Sequence, residues 1–442
     1  MNPYSSYKES GVKWIGKIPD DWTTNKIKYL TDGKKDSFID GDWIESTNIS
    51  ESGIRYITTG NIGEGVYKEQ GKGYISEETF VKLDCTEVFS GDLVISRLSP
   101  PVGRSCIIPN LQTRIVTSVD NVILRPKKDI EKSFLNFIFN SQGYYSHTDL
   151  ISRGTTLTRI SRTMLGNNKI VLPPLQEQQQ ISNYLDHKTQ HIDSLIEKTQ
   201  QKIELLKEQR TSLINQVVTK GLNPDVEMKD SGVEWIGKIP SGWDVVSIKR
   251  LCYVKRGSSP RPIDDPKYFD EQGEFRWVRI SDVSSSERYL EKTTQVLSEL
   301  GSSLSTKRYP GDIFLSIAGS VGKPIISKIK CCIHDGFVWF DDLNIDSEYL
   351  YYIFSLGQCF QGLGKFGTQL NLNTETVGSI KITLMTHFEQ QQIVDHLDKE
   401  TSKIDSTIEK ETQRIELLKE YRQSLISEVV TGKVDIRDEV VV

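Results

Sequence analysis

Apolar residues recur along two stretches of the chain with the alternating four- and three-residue steps of a coiled helix. In the first stretch the positions are Ile181, Leu185, Lys188, Ile192, Ile196, Thr199, Ile203, Leu206, Arg210, Leu213 and Val217. One extra step of four, from Ile192 to Ile196, is a stutter that locally relaxes a supercoil. Eight of these eleven positions are apolar, while Glu204, Lys207 and Glu208 fall on other faces, so the pattern predicts one amphipathic helix. At about 1.5 Å per residue its roughly 43 residues reach about 65 Å. A stripe that long predicts a partner helix. The stripe returns in Ile393, Leu397, Ile404, Ile408, Ile415, Leu418, Leu425 and Val429, and the two helices are expected to pair antiparallel. Pro173-Pro174 pre-set the start of the first; Thr386-His-Phe-Glu389 opens the second with a capping box.

Elsewhere the pattern shortens. Arg55-Tyr-Ile-Thr58, Asp92-Leu-Val-Ile-Ser96, Asn121-Val-Ile-Leu124, Ile313-Phe-Leu-Ser316 and Phe337-Val-Trp-Phe340 read as short strands punctuated by Gly and Asp. Aromatic helices follow at Ser133–Phe139 and Ser347–Phe354, each with its serine placed as the N-cap. Their stripes read as core.

The chain contains its own duplicate. Lys8-Glu-Ser-Gly-Val-Lys-Trp-Ile-Gly-Lys-Ile-Pro19 recurs 221 residues later as Lys229-Asp-Ser-Gly-Val-Glu-Trp-Ile-Gly-Lys-Ile-Pro240, and Trp22 recurs as Trp243. Glu177-Gln-Gln-Gln-Ile181 through Thr219 recurs 212 residues later as Glu389-Gln-Gln-Gln-Ile393 through Thr431. Between these blocks the copies diverge around shared landmarks: Gly91–Ser96 against Gly311–Ser316, Pro101-Val-Gly103-Arg104 against Ser320-Val-Gly322-Lys323, and Gly154-Thr155 against Gly367-Thr368. Two long copies exclude a solenoid of short repeats. They predict a pseudo-two-fold molecule in which the similar parts hold the frame and the divergent parts recognise two different things.

Composition adds less than distribution does. Of 442 residues, 55 are Lys or Arg and 60 Asp or Glu, so the formal charge of -5 does not mark a nucleic-acid binder. Residues 22–96, however, hold 8 basic and 13 acidic side chains, and residues 97–169 hold 11 and 4. Arg97, Arg104, Arg114, Arg153, Arg159 and Arg162 lie in that second window, with the planar fork that suits phosphate oxygens and guanine edges. In the second copy Lys249, Arg250, Lys255, Arg256 and Arg261 cluster, followed by Arg276, Arg279, Lys307, Arg308 and Lys323. At the glycine landmarks, Gly154-Thr-Thr-Leu-Thr-Arg159 aligns with Gly367-Thr-Gln-Leu-Asn-Leu372, so Thr155 and Thr156 stand opposite Thr368 and Gln369, and Asn371 opposite Thr158, hydroxyl and amide groups able to approach a phosphate or a base edge.

Catalytic chemistry is not legible. Pro224-Asp225-Val-Glu227-Met-Lys229 holds the letters of a metal nuclease site, but six contiguous residues leave no turn to bring its carboxylates onto adjacent strands. There is no Walker A, no GxSxG and no Asn-Pro-Pro-Tyr, and the six histidines form no triad. The six cysteines, Cys85, Cys106, Cys252, Cys331, Cys332 and Cys359, show no CxxC, so they read as reduced packing residues and no metal is expected. Without an apolar leader or a span of about 18 apolar residues, a cytoplasmic, membrane-free protein is expected.

The opening Ser10–Pro19, the Leu172-Pro-Pro-Leu-Gln-Glu177-Gln junction, the Ile203-Glu-Leu-Leu-Lys-Glu208 heptads and the repetition of each resemble the specificity subunits of type I restriction-modification systems. The resemblance covers essentially the whole chain; Met385-Thr386 in place of Pro173-Pro174 departs from it. It implies an α+β fold: two mixed α/β target-recognition domains in pseudo-two-fold arrangement, joined by two long antiparallel coiled-coil helices. The segments would be 1–172, 173–220 (central helix), 221–385 and 386–442 (distal helix and tail). Each domain would read one half of a bipartite double-stranded DNA target. The helices would set the unread gap and dock two methyltransferase subunits, with two restriction/motor subunits in a cleaving complex. The chain itself would be non-catalytic and carry no cofactor, with S-adenosylmethionine, Mg and ATP on the partners. Arg104, Thr155, Thr156, Arg159 and Arg162, with Arg256, Arg279, Lys323, Thr368, Gln369 and Asn371, are the expected DNA-facing residues. Two other classes fit parts of the sequence: a coiled-coil scaffold with two protein- or ligand-binding heads, and a self-contained DNA methyltransferase or nuclease.

Overall fold

The computed structural model describes residues 3–71, 73–154, 157–363 and 372–439. Two compact units divide the chain, one built from Met1–Gln200 with Gln413–Val442, the other from Gln201–Thr412. The segments 1–172 and 221–385 thus lie one in each unit, and each long helix is shared between the two.

In the first unit, Thr23–Lys26 pairs antiparallel with Lys169–Leu172, closing the base of everything between them. Above that base lie two four-stranded sheets. One is ordered Tyr74–Ile75, Ile54–Ile57, Ile115–Thr117, Glu87–Val88, with its two middle strands parallel. The other is antiparallel and ordered Phe38–Asp40, Asn121–Leu124, Leu93–Ser96, Ser105–Ile107. Every residue of Leu93–Ser96 and Asn121–Leu124 is buried, which is why these strands read as unbroken apolar runs.

The second unit repeats the plan. Asp244–Ser247 pairs with Lys381–Leu384 at the base. Phe275–Val278 runs parallel to Cys331–Ile333 in a four-stranded sheet, and Tyr289–Leu290 adds a fifth strand to the other sheet. The aromatic helices form at Lys132–Phe139 and Ser347–Ser355, but their N-caps are Glu131 and Asp346 and not the serines. The reason is local: the acids precede the serines and their carboxylates already accept the orphan N–H groups, at 3.3 Å from Ser133 and at 2.8 and 2.9 Å from Glu348 and Tyr349.

The repeated blocks owe their similarity to one set of bonds made twice. Trp22 Nε1 donates to Glu177 at 3.1 Å, and Trp243 Nε1 donates to Glu389 at 3.3 Å. Gln178 donates to the Pro173 carbonyl at 2.9 Å and accepts from the Glu131 N–H at 2.9 Å; Gln390 donates to the Met385 carbonyl at 3.0 Å and accepts from the Asp346 N–H at 2.9 Å. A carbonyl serves whatever side chain it carries, so the exchange of Pro173 for Met385 leaves the junction unchanged. Thr386 and Glu389 form the capping box, with Thr386 Oγ1 donating at 2.8 Å.

The helices run Leu175–Lys220 and His387–Val430. All sixteen apolar heptad residues named above are buried or half-buried. Their surroundings change along the helix. Near the ends, Ile181, Leu185, Leu425 and Val429 join the core of the first unit, and Val217, Ile393 and Leu397 that of the second. Tyr184, Ile214, Val218, Ile426 and Val430 are buried there too, off the heptad stripe, because they face the sheets and helices of their own unit. Farther in, the two helices bind each other. In the second unit Arg210 meets Asp405 at 2.8 Å and Lys202 meets Glu411 at 2.5 Å, numbers rising along one helix as they fall along the other. In the first, Arg422 grips Asp193 with two bonds of 2.9 and 3.1 Å. The pairing is antiparallel.

Candidate nucleic-acid interface

At one end of the first unit two loops lie side by side. Ser99 N–H donates to the Thr158 carbonyl at 3.0 Å, Ile160 N–H to the Arg97 carbonyl at 3.1 Å, and Arg153 and Arg159 exchange backbone bonds of 3.0 and 2.8 Å. Gly154 makes the tight turn possible with φ of +120°, a region closed to most side chains. This ladder carries three guanidiniums to two carboxylates. Arg159 meets Asp120 at 2.7 Å, Arg162 meets Asp40 at 3.5 Å, and Arg97 lies 3.4 Å from Asp40 and 3.9 Å from Asp120. Arg97 is buried and donates to the Val119 carbonyl. Burial pulls its pKa down, Asp40 and Asp120 pull it back, and Arg159 and Arg162 oppose them; as an arginine it stays charged. Three cations against two anions leave one net positive charge. It is presented by Arg159 and Arg162, whose side chains are 45% and 42% exposed.

Arg104 is a correction. Its side chain is buried, and the guanidinium donates to the carbonyls of Ile62 at 2.7 Å, Leu98 at 2.7 Å, Pro101 at 3.0 Å and Thr59 at 2.7 Å. Four of its five N–H groups are committed inside the fold and the residue is only 9% exposed, so Arg104 braces its turn and does not face a phosphate. Its counterpart Lys323 does the same job, bonding the Ser284 and Ser286 carbonyls at 3.0 and 2.5 Å, so it too fastens its turn to a neighbouring segment and is not a free contact. The basic window at 97–169 is likewise less basic in space than in sequence. Arg114 pairs with Glu77 and Glu87, and Arg125 with Asp36 and Asp92, acids supplied by the preceding window.

In the second unit Arg256 is exposed and held by the Asp335 carbonyl at 2.5 Å, while Arg261 meets the Asp335 carboxylate at 3.0 Å. Arg279 stands exposed just past the end of Phe275–Val278. These three cations gather near the ends of the parallel strands, as Arg159 and Arg162 gather at the loops of the first copy. Thr155, Thr156, Thr368, Gln369 and Asn371 lie outside the described residues. Sequence reasoning missed Asp40 and Asp120, the acids that aim the arginines, because nothing local to Phe38–Asp40 relates it to residues some 80 or 120 positions on. In the sequence Arg97 reads as one more basic residue; in the fold it lies beneath the others.

Among the described residues no group of three or more His, Cys, Asp or Glu side chains is placed to hold a metal, and no helix is long and apolar enough to cross a membrane. All six cysteines are free thiols and buried.

Residues 19–205 and 240–419 match the family model of the type I restriction modification DNA specificity domain. A protein of Methanocaldococcus jannaschii, named provisionally as the type I restriction enzyme MjaX specificity subunit, is 24% identical over 450 residues, covering 98% of each chain. Among solved structures, a chain from a study of complex assembly and conformational transition of the type I R-M system superposes with a TM-score of 0.74 at 17% identity, covering 94% of this chain and 99% of that one. The HsdS subunit from Thermoanaerobacter tengcongensis gives 0.53 at 16% identity, covering 94% and 98%.

Proposed function

The chain belongs to the type I restriction-modification DNA specificity family, and from its geometry we propose that each unit reads one half of a bipartite duplex target through the cations at its strand and loop ends. It is the specificity component of such a complex, working with DNA and methyltransferase subunits, and not the component that carries the chemistry. One observation carries the reading: the two copies repeat their anchoring bonds residue for residue, Trp22–Glu177 and Trp243–Glu389, while the loops those anchors support carry different side chains. A constant frame with two unlike tips is what an asymmetric, two-part recognition sequence requires.

Arg159 and Arg162 in the first unit, and Arg256, Arg261 and Arg279 in the second, supply the phosphate and base contacts; Asp120 and Asp40 aim the first pair, and Asp335 holds Arg256 through its carbonyl and Arg261 through its carboxylate. The helix pair sets the length of the unread gap. Two methyltransferase subunits dock at equivalent places: Leu205 and Leu417, related by the 212-residue repeat, are each 65% exposed on helices whose other leucines are largely covered. Restriction/motor subunits join the cleaving form. S-adenosylmethionine, Mg and ATP belong to the partners, and the assembly works in the cytoplasm. Mapping methylated adenines in cells with and without this gene tests the reading. The expected result is a split, asymmetric motif that disappears with the gene; an unchanged methylation map would end it.

A further inference from the structure

The second unit contains a cavity of about 550 Å³ at the C-terminal ends of the parallel strands Phe275–Val278 and Cys331–Ile333. Its lining combines apolar side chains, Ile263, Phe269 and Trp277, with polar ones, among them Arg279, Gln295 and His334, while Arg261 at the same site is paired with the lining acid Asp335. Two features of the polar lining are unusual. Gln295 Oε1 is buried with no hydrogen-bond partner among the described residues. A buried amide oxygen left without a donor is destabilising, so the position is set for something that brings an N–H or O–H. His334 is fixed in one orientation: its Nδ1 accepts from the Gly336 N–H at 2.8 Å, so the proton sits on Nε2. Burial lowers its pKa and favours this neutral form. A Cβ on Gly336 would strike the imidazole, and a Cβ on Gly257 would strike the His334 carbonyl, which is the reason for glycine at both places.

The chemistry of the wall discriminates among the parts of DNA. A backbone phosphate would suit Arg261 and Arg279, but it has no donor for Gln295 and no use for Trp277 and Phe269. A base edge inside an intact duplex is recessed in its groove and cannot fill a cavity. A single base outside the stack meets every demand: a flat ring against the aromatic wall, a donor for Gln295, and acceptor atoms for the guanidinium and imidazole N–H groups.

We propose that this cavity receives one nucleobase turned out of the duplex in the half-site read by the second unit, with Gln295 accepting from its N–H and Arg279 donating to its acceptor edge. The inference rests on the DNA reading above and deepens it. It makes Gln295 and Arg279 specificity-determining residues, and it separates this base from the adenine that the partner subunit methylates.

A base that is already unpaired is cheaper to extract, so mismatched duplexes bind more tightly at an extrusion site. The test uses the full chain with its methyltransferase subunits and duplexes carrying the mapped target with a mismatch at each position in turn. A mismatch at one position of the second half-site, other than the methylated adenine, should tighten binding by about tenfold. Gln295→Leu and Arg279→Ala should each abolish that gain while leaving discrimination at the first half-site intact. A target motif with no such position, or a gain kept in full by both variants, would overturn the cavity assignment alone. Absence of any split motif would instead overturn the DNA reading on which it rests.

Discussion

Arg159 and Asp120 lie 2.7 Å apart at the rim of the first unit, with nearly half of the arginine side chain open to solvent. Replacing Arg159 with alanine takes the cluster from one net positive charge to none, and Asp120→Asn takes it from one to two. Each cation that neutralises a phosphate contributes about 0.9 to the slope of log affinity against log salt. Arg159→Ala should therefore flatten that slope by up to about 0.9, and Asp120→Asn should steepen it by a similar amount. Across the fourfold span from about 50 to 200 mM salt, either change alters the affinity ratio roughly 3.5-fold. If Arg159 instead grips a guanine edge with both nitrogens, its loss costs about 1–3 kcal/mol at one base pair and the salt slope stays put. The folded state should lose little on Arg159→Ala, about 0.2–1 kcal/mol or under about 4 °C in melting temperature for a unit of this size, because the arginine is exposed and Arg97 still faces the half-buried Asp120. Fluorescence anisotropy of the chain with its methyltransferase subunits, on duplexes with the intact or scrambled first half-site over that salt range, separates the cases. If both variants match the unaltered chain in slope, affinity and base preference, the cluster does not face DNA.

Arg104→Ala should behave in the opposite way, losing roughly 2–3 kcal/mol of stability by chemical denaturation because it leaves several carbonyls unbonded, with no change in salt slope; a slope change without destabilisation would restore it to the interface. Deleting one heptad at matching places in both helices shortens each by about 10.5 Å, so the preferred gap in the methylation motif should shrink by about three base pairs. An unchanged gap would refute the spacer role. Leu205→Glu and Leu417→Glu should each leave one methyltransferase subunit bound and the double variant none, read by light scattering of the reconstituted complex; full occupancy of the double variant would move the docking surface elsewhere.

The long helices were legible because a four-three rhythm sustained from Ile181 to Val217 has few other uses, and the junctions because identical side chains make identical bonds, as Trp22 and Trp243 do. What the rhythm does not contain is what each helix faces. Tyr184 and Val218 are buried off the stripe because a globular core is waiting there, and no periodicity within the helix announces it. Charge was the poorest guide. It records that Arg104 is basic and says nothing of the four carbonyls around it, or of the acids that reach Arg97, Arg114 and Arg125 from more than 20 residues away. Side-chain charge can be counted along a chain, but neutralisation happens across sheets. The serines of the aromatic helices failed as caps for a simpler reason: Glu131 and Asp346 stood earlier in line.

The bonds of Gln178 and Gln390 reach the divergent segments through the N–H groups of Glu131 and Asp346, which are main-chain atoms. Any amino acid but proline offers the same donor. The other bonds of each junction, from tryptophan to glutamate and from glutamine to carbonyl, lie within the repeated blocks or on backbone oxygen. The stretch between the blocks is therefore an exchangeable cassette. A different stretch could be spliced in by recombination at the flanking repeats and attach to the same helix start, provided that it also meets the helix side chains farther along, as Arg288 and Tyr352 meet Asp398 in the second unit, and it would give the host a new sequence to protect in a single genetic event.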